Sequence, residues 1–222
     1  MAKFWVTLDV SEADAAEARM ARLAPHRSFK VGLELYHRIG PEGVLRWTQQ
    51  GYEIFLDMKL HDIPHTVAGA VANLARLGVS LITLHVSGGR QMLEAAREAA
   101  PSTCLIGVTV LTSLGSEDLA SLGYARPLSE LVALHVETAR AAGLAGVVVS
   151  AGELPAIRLA WPAARLVVPG IRWAEDAAGD QKRVGQPEVV LAQGGTDLVL
   201  GRGLWQAADP VGRLEQLKRM PT

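Results

Sequence analysis

The chain has 222 residues, 49% of them hydrophobic, with a formal net charge of -1. That is ample material for one large α/β core, and the near-neutral balance excludes a broad basic field for nucleic acid or an anionic membrane surface. A single cysteine, Cys104, excludes an internal disulfide and fits a reducing cytoplasm; no apolar run approaches the roughly 20 residues needed to span a bilayer. The expectation is a soluble, uncleaved, cytoplasmic protein in which any bound anion is met locally.

In chain order, β-rich runs fall at residues 4–8, 29–31, 52–58, 81–86, 105–110, 146–149, 166–168 and 198–200. Between them lie helix-like segments such as 12–23, 67–77, 91–99, 128–142 and 189–193, often closed by a glycine (Gly78, Gly143, Gly194). Strands this apolar, separated by helices, belong in a parallel sheet buried on both faces. Eight βα units predict a (β/α)8 barrel, a single domain over residues 1–222.

An open doubly wound sheet has a similar strand pattern, and the polar residues favour the barrel. Asp9, Lys30, Asp57 with Lys59, His85, Thr112, Arg172 and Arg202 each come at or just after the C-terminal end of a different strand. A closed barrel gathers those ends around one mouth, whereas an open sheet spreads them along a crevice. Residues 173–187, polar and carrying Gly179, Gly185 and Pro187, read as a lid loop.

Two strand ends look built for phosphate. Leu200-Gly201-Arg202-Gly203 offers backbone N–H groups freed by glycine and a guanidinium between them, and Pro169-Gly170-Ile171-Arg172 repeats the pattern. They close strands seven and eight, where barrels often hold a phosphate. A Gly-Arg-Gly run by itself equally describes a tight turn with an exposed arginine, and Gln181 by itself would be a solvated loop residue. Together, the two arginine-bearing ends and the Gln181 amide form a candidate anion grip.

The densest chemistry is Asp57-Met58-Lys59-Leu60-His61-Asp62-Ile63-Pro64-His65-Thr66. On a strand, period-2 geometry points Phe55, Asp57 and Lys59 to one side and Met58 to the other, and Asp62 lies in the following turn, close enough to return toward the lysine. Lys30, one strand earlier, is expected beside Asp57, giving a Lys-Asp-Lys-Asp row in which every charge has opposite neighbours. An exposed Asp-x-Lys pair worth under about 1 kcal/mol is the plain alternative, but such pairs do not usually end a buried strand. His61, His65 and His85 form no metal-binding array, and no dinucleotide, P-loop or serine-hydrolase motif is present. These absences point to cofactor-free, metal-free chemistry.

The run Phe55-Leu56-Asp57-Met58-Lys59-Leu60-His61-Asp62-Ile63-Pro64 resembles the signature of the orotidine 5'-phosphate decarboxylase family. So do Thr7-Leu8-Asp9, Phe29-Lys30-Val31-Gly32, Thr109-Val110-Leu111-Thr112-Ser113, Pro169-Gly170-Ile171-Arg172, Asp180-Gln181-Lys182-Arg183 and Gly201-Arg202, so that the likeness covers nearly the whole chain. Val110 and Val168 depart from it, at positions where glutamine and threonine are more familiar.

The resemblance implies decarboxylation of orotidine 5'-phosphate to uridine 5'-phosphate and carbon dioxide in UMP synthesis, without metal or cofactor. It assigns Lys59 as the proton donor to C6, Asp57 beside the departing carboxylate, and Lys30 and Asp62 to the rest of the charge row. Asp9 and Lys30 would hold ribose hydroxyls, Thr112 would lie near the nucleotide, and Arg172, Gln181, Gly201 and Arg202 would bind phosphate. Asp62, Ile63 and Thr66 would serve the neighbouring subunit's site, which implies a homodimer. Magnesium-dependent sugar-phosphate decarboxylases or aldolases on a related barrel are an alternative, but they need a metal-binding carboxylate where this chain has Lys30. A non-catalytic phosphate-ligand binder would not need Lys59, and a purely structural oligomer would not gather polar residues at strand ends.

Overall fold

The computed structural model describes residues 2–176 and 183–220. Strands β1 (Lys3–Thr7), β2 (Ser28–Gly32), β3 (Glu53–Leu60), β4 (Leu81–His85), β5 (Cys104–Val108), β6 (Gly146–Val148), β7 (Arg165–Val168) and β8 (Asp197–Leu200) pair in sequence order, all parallel, and β8 closes on β1. The result is the (β/α)8 barrel that the alternation predicts. Around it run α1 (Ala13–Arg22), α2 (Leu33–Gln49), α3 (Pro64–Ala75), α4 (Arg90–Ala99), α5 (Ser116–Ser121), α6 (Leu128–Ala141), α7 (Leu154–Ala160), α8 (Pro187–Ala192), α9 (Arg202–Trp205) and α10 (Pro210–Lys218).

Period-2 alternation divides the strand residues into two cores. Phe4 and Val6 on β1 and Leu8 just after it, like Ile54 and Leu56 on β3, face outward into the large apolar layer beneath the helices. Trp5, Phe55, Leu81, Ile106, Val167 and Val199 form a separate cluster inside the barrel, with the Trp5 and Phe55 rings edge-to-face at 5.6 Å. Two positions earlier on the same strands, an ionic floor closes the N-terminal end: Lys3 pairs with Glu53, and Arg165 with the buried Asp197, which also accepts the Trp5 indole N–H at 2.7 Å. Two positions later, the inward-facing positions are Thr7, Asp57 and Gly201, at the C-terminal mouth. The apolar layer therefore separates a structural floor from a chemically active rim.

One long helix is absent from the segments read from sequence. Helix α2 carries Gly40 and Pro41 in its middle, and Gly40 (φ 64°) kinks it there. The Gly-Pro pair interrupts the helical pattern without ending the helix, since the kinked α2 still buries Leu35, Val44 and Trp47.

Candidate active site

A cavity of about 220 Å³ opens at the C-terminal mouth. Its lining includes Asp9, Lys30, Asp57, Lys59, Thr112, Arg172, Gly201 and Arg202, all singled out by sequence, over an apolar base of Phe55, Val108, Val148, Val167 and Val199. Four cations against two carboxylates leave a formal excess of two positive charges in a chain whose net charge is -1. The cavity thus concentrates positive charge locally, as binding an anion requires.

One side of the cavity is a continuous charge row. Lys30, 8% exposed, places Nζ 3.6 Å from Asp9 Oδ1 and 3.3 Å from Asp57 Oδ2, and Lys59 Nζ lies 2.7 Å from the same Asp57 oxygen. Register explains the contact of Lys30 with Asp57: on paired strands Gly32 stands opposite Asp57 and Lys30 opposite Phe55, so Lys30 and Asp57 are diagonal neighbours on the inner face. Burial pushes the Asp57 carboxyl toward neutrality. The ammoniums of Lys30 and Lys59, with hydrogen bonds from Lys59 and Thr83, outweigh that and hold its pKa below the ordinary aspartate value. The row thus keeps a largely buried carboxylate ionised.

The backbone at Lys59 is special. Pairing of β3 with β4 shifts register between Leu56 and Leu60, and Lys59 takes φ 48°, the one non-glycine residue with positive φ among the described residues. Thr83, fully buried on β4, fixes this turn: its Oγ1 accepts the Lys59 N–H at 2.9 Å and donates to Asp57 Oδ1 at 3.0 Å. Plain alternation accounts for Phe55 and Asp57 facing the cavity, whereas Lys59 gets there through a bulge held by a hydroxyl on the next strand. Thr83 was not singled out from sequence; the only signal is a polar residue in the middle of the apolar run Leu81–Leu84, on the same face as His85.

Asp62 does not turn back to Lys59 of its own chain. It is exposed, and its Oδ1 accepts the Ile63 N–H at 2.7 Å; the fourth member of the row within the chain is Asp9. Ile63 is 66% exposed and Thr66 is also exposed, and none of these three lines the cavity of their own chain. Beside the row a second hollow is lined by Leu8, Gly32, Leu33 and Glu34 together with Lys30 and Lys59. His85 borders this end. Burial, then the nearby His61 and Lys59, lower its pKa, favouring a neutral ring.

The opposite end carries the arginines. Arg172 is 7% exposed and donates from Nη1 to the Ile171 carbonyl at 2.9 Å, and its backbone N–H bonds Gly185 O at 3.0 Å. Gly201 heads α9, and Gly203 follows, where an added Cβ would fall 2.7 Å from Asp176 Oδ2 and 3.0 Å from Ile171 O. Only glycine lets these two strand-end loops close so tightly. Gln181 and residues 177–182 of the expected lid lie outside the described residues. Of the two departures from the family pattern, Val110 lines the cavity, while Val168 is buried in the outer core. Among the described residues, no three His, Cys, Asp or Glu side chains group so as to hold a metal.

Comparison with known proteins agrees with this geometry. The chain is 41% identical over 221 residues to the orotidine 5'-phosphate decarboxylase of Idiomarina loihiensis, covering 97% of this chain and 96% of that protein. It is 45% identical over 221 residues to that of Moorella thermoacetica, covering 94% and 88%. The crystal structure of orotidine 5'-phosphate decarboxylase from Lactobacillus acidophilus superposes with a TM-score of 0.88 at 31% identity, over 99% of this chain and 98% of that one. The model of the orotidine 5'-phosphate decarboxylase / HUMPS family matches residues 2–217, and the chain belongs to that family.

Proposed function

We propose that this protein converts orotidine 5'-phosphate to uridine 5'-phosphate and carbon dioxide, a step of pyrimidine biosynthesis, with Lys59 delivering the proton. The observation that carries the reading is the division of one cavity into a Lys-Asp-Lys row at one end and two arginines at the other. Decarboxylation breaks the bond between C6 and its carboxylate carbon. The bonding electrons stay on C6, carbon dioxide leaves, and a proton from Lys59 Nζ forms the new C6–H bond. An ammonium fixed 2.7 Å from Asp57 stabilises the developing charge and then neutralises it. Asp57, held ionised, repels the substrate carboxylate more than the transition state that has lost it.

In this reading Asp9 and Lys30 hold ribose hydroxyls, Thr112 lies beside the nucleotide, and Arg172, Gln181, Gly201 and Arg202 take the phosphate. The excess positive charge of the cavity suits a ligand bearing both a phosphate and a carboxylate. Binding energy gathered at the phosphate, with the 173–187 loop closing over it, organises the distant carbon. The chain acts as a single barrel domain over residues 1–222.

Two such chains pair as a homodimer, with Asp62, Ile63 and Thr66 reaching the partner's site. What supports this is their exposure together with a hollow next to the charge row, where Lys30, Lys59 and the half-exposed Leu33 stand beside Asp9, Glu34 and Asp57. A cytoplasmic location rests on the reaction class and on the lone Cys104, and no helix among the described residues is long and apolar enough to cross a membrane. Lys30, buried between two carboxylates, puts an ammonium where the magnesium-dependent alternative needs a ligand. Mixing the protein with orotidine 5'-phosphate in excess chelator and following the pyrimidine absorbance tests the reading: conversion is expected, and no change in absorbance would remove it.

A further inference from the structure

Arg183 joins parts of the cavity wall that are far apart in sequence. Its Nη2 donates to the carbonyls of Val110 and Leu111, each at 3.0 Å, on the wall formed after β5. Its Nη1 forms an ion pair with Glu153 and reaches Ser150 Oγ at 3.4 Å, after β6. Glu153 is itself fixed, because its other oxygen accepts the Ser150 N–H at 2.7 Å. Both Arg183 and Glu153 are largely buried, at 17% and 16% side-chain exposure, so the pair is shielded from screening by solvent. Two residues on, Gly185 exchanges backbone hydrogen bonds with the arginine-bearing end: Gly185 N–H to Gly170 O at 3.2 Å and Arg172 N–H to Gly185 O at 3.0 Å.

We infer that Arg183 is a positioning residue that ties the wall at Val110, Leu111 and Thr112 to the anion end at Gly170 and Arg172, so that a ligand bridging both ends meets them at a fixed separation. Two connections meet in the three residues from Arg183 to Gly185, one of backbone hydrogen bonds from Gly185 to Gly170 and Arg172 and one of charge-assisted bonds from Arg183 to the opposite wall. A ligand that touches only the anion end needs just the first. A nucleotide, which spans the cavity, needs both, and a misplacement of about 1 Å is enough to reduce turnover strongly. The inference rests on the nucleotide reading given above.

The test compares uridine 5'-phosphate with inorganic phosphate as ligands of the parent, Arg183→Ala and Glu153→Gln proteins, measured by calorimetry and, for turnover, as competitive inhibitors. Arg183→Ala is expected to weaken uridine 5'-phosphate and raise KM for orotidine 5'-phosphate by about tenfold or more, leaving inorganic phosphate within about twofold. Millimolar guanidinium is expected to restore nucleotide affinity in that variant and to do nothing to the parent. Glu153→Gln, which keeps the fold's hydrogen bonds but removes the charge, is expected to shift nucleotide binding in the same direction by about threefold, and it stands in if Arg183→Ala does not fold. Equal weakening of both ligands, unchanged nucleotide binding in either folded variant, or no recovery with guanidinium would overturn the assignment. Calorimetry reads Arg183 without turnover, so a parent protein that binds the nucleotide but does not decarboxylate defeats the functional reading separately.

Discussion

Lys59 Nζ stands 2.7 Å from Asp57 Oδ2, and the backbone that puts it there has φ 48°. For a side chain with a Cβ this left-handed region costs on the order of 1 kcal/mol, recovered here through the bond from the Lys59 N–H to Thr83. Lys59→Gly is therefore expected to be more stable than Lys59→Ala by about 1 kcal/mol in urea unfolding, the reverse of the usual entropic penalty of glycine. Equal stability, or a less stable glycine variant, would show that the turn is unstrained.

The exposed Asp62, which does not line its own chain's cavity, leads to a mixing test of the proposed dimer. Lys59→Ala and Asp62→Ala proteins, each nearly inactive, should regain activity when combined, because one site of each heterodimer has both residues intact. No recovery despite verified subunit exchange would place Asp62 in its own chain's site or outside catalysis.

His26 provides a pH dependence of folding. It is buried, with Nε2 2.8 Å from Ser28 O and its ring edge-to-face with Phe29, and burial lowers its pKa from 6.5 to about 4, aided by Lys218 and Lys3 and only partly offset by the Ser28 bond. The unfolded chain takes up a proton near pH 6.5, whereas the folded chain resists until near pH 4. The stability contribution is therefore complete above pH 6.5 and is lost as the pH falls toward 4, by up to about 3 kcal/mol. In His26→Gln, the dependence of Tm on pH between 6.5 and 4 should flatten; an unchanged slope would assign it to other groups.

The ionic floor should matter for stability and not for chemistry. Asp197, 1% exposed, holds the Trp5 indole, the Arg165 guanidinium and, at 2.8 Å, the Thr196 hydroxyl. Asp197→Ala leaves a buried indole N–H unpaired and removes the carboxylate from a shielded ion pair, at a cost of about 3 kcal/mol. Denaturant unfolding followed by tryptophan fluorescence measures this, and kcat below the transition should stay close to that of the parent. A loss under about 1 kcal/mol would mean that the floor is well solvated.

The barrel is legible in the sequence because parallel strands buried on both faces write continuous apolar runs, with helices between them. Asp57, Lys30 and Asp9 are legible because each falls within or just past an apolar run, at or near the C-terminal end of a strand, and strand neighbours in a barrel follow sequence order. What escapes is what depends on contacts across strands. Thr83 acts through a register shift between β3 and β4, Arg183 meets Val110 from 73 residues away, and α2 is hidden by the Gly40-Pro41 pair in its middle. Periodicity reports which way a residue faces and does not report which distant carbonyl or carboxylate it will find there.

The most direct test of the central claim is single-turnover conversion of orotidine 5'-phosphate by parent and Lys59→Ala proteins, with uridine 5'-phosphate affinity measured on both. Turnover should fall by at least about 10³-fold in the variant, from loss of both the proton donor and the fixed positive charge, while product affinity remains measurable through the arginine end. Near-normal turnover by Lys59→Ala would contradict the assignment of Lys59 as the acid and with it the role of the charge row.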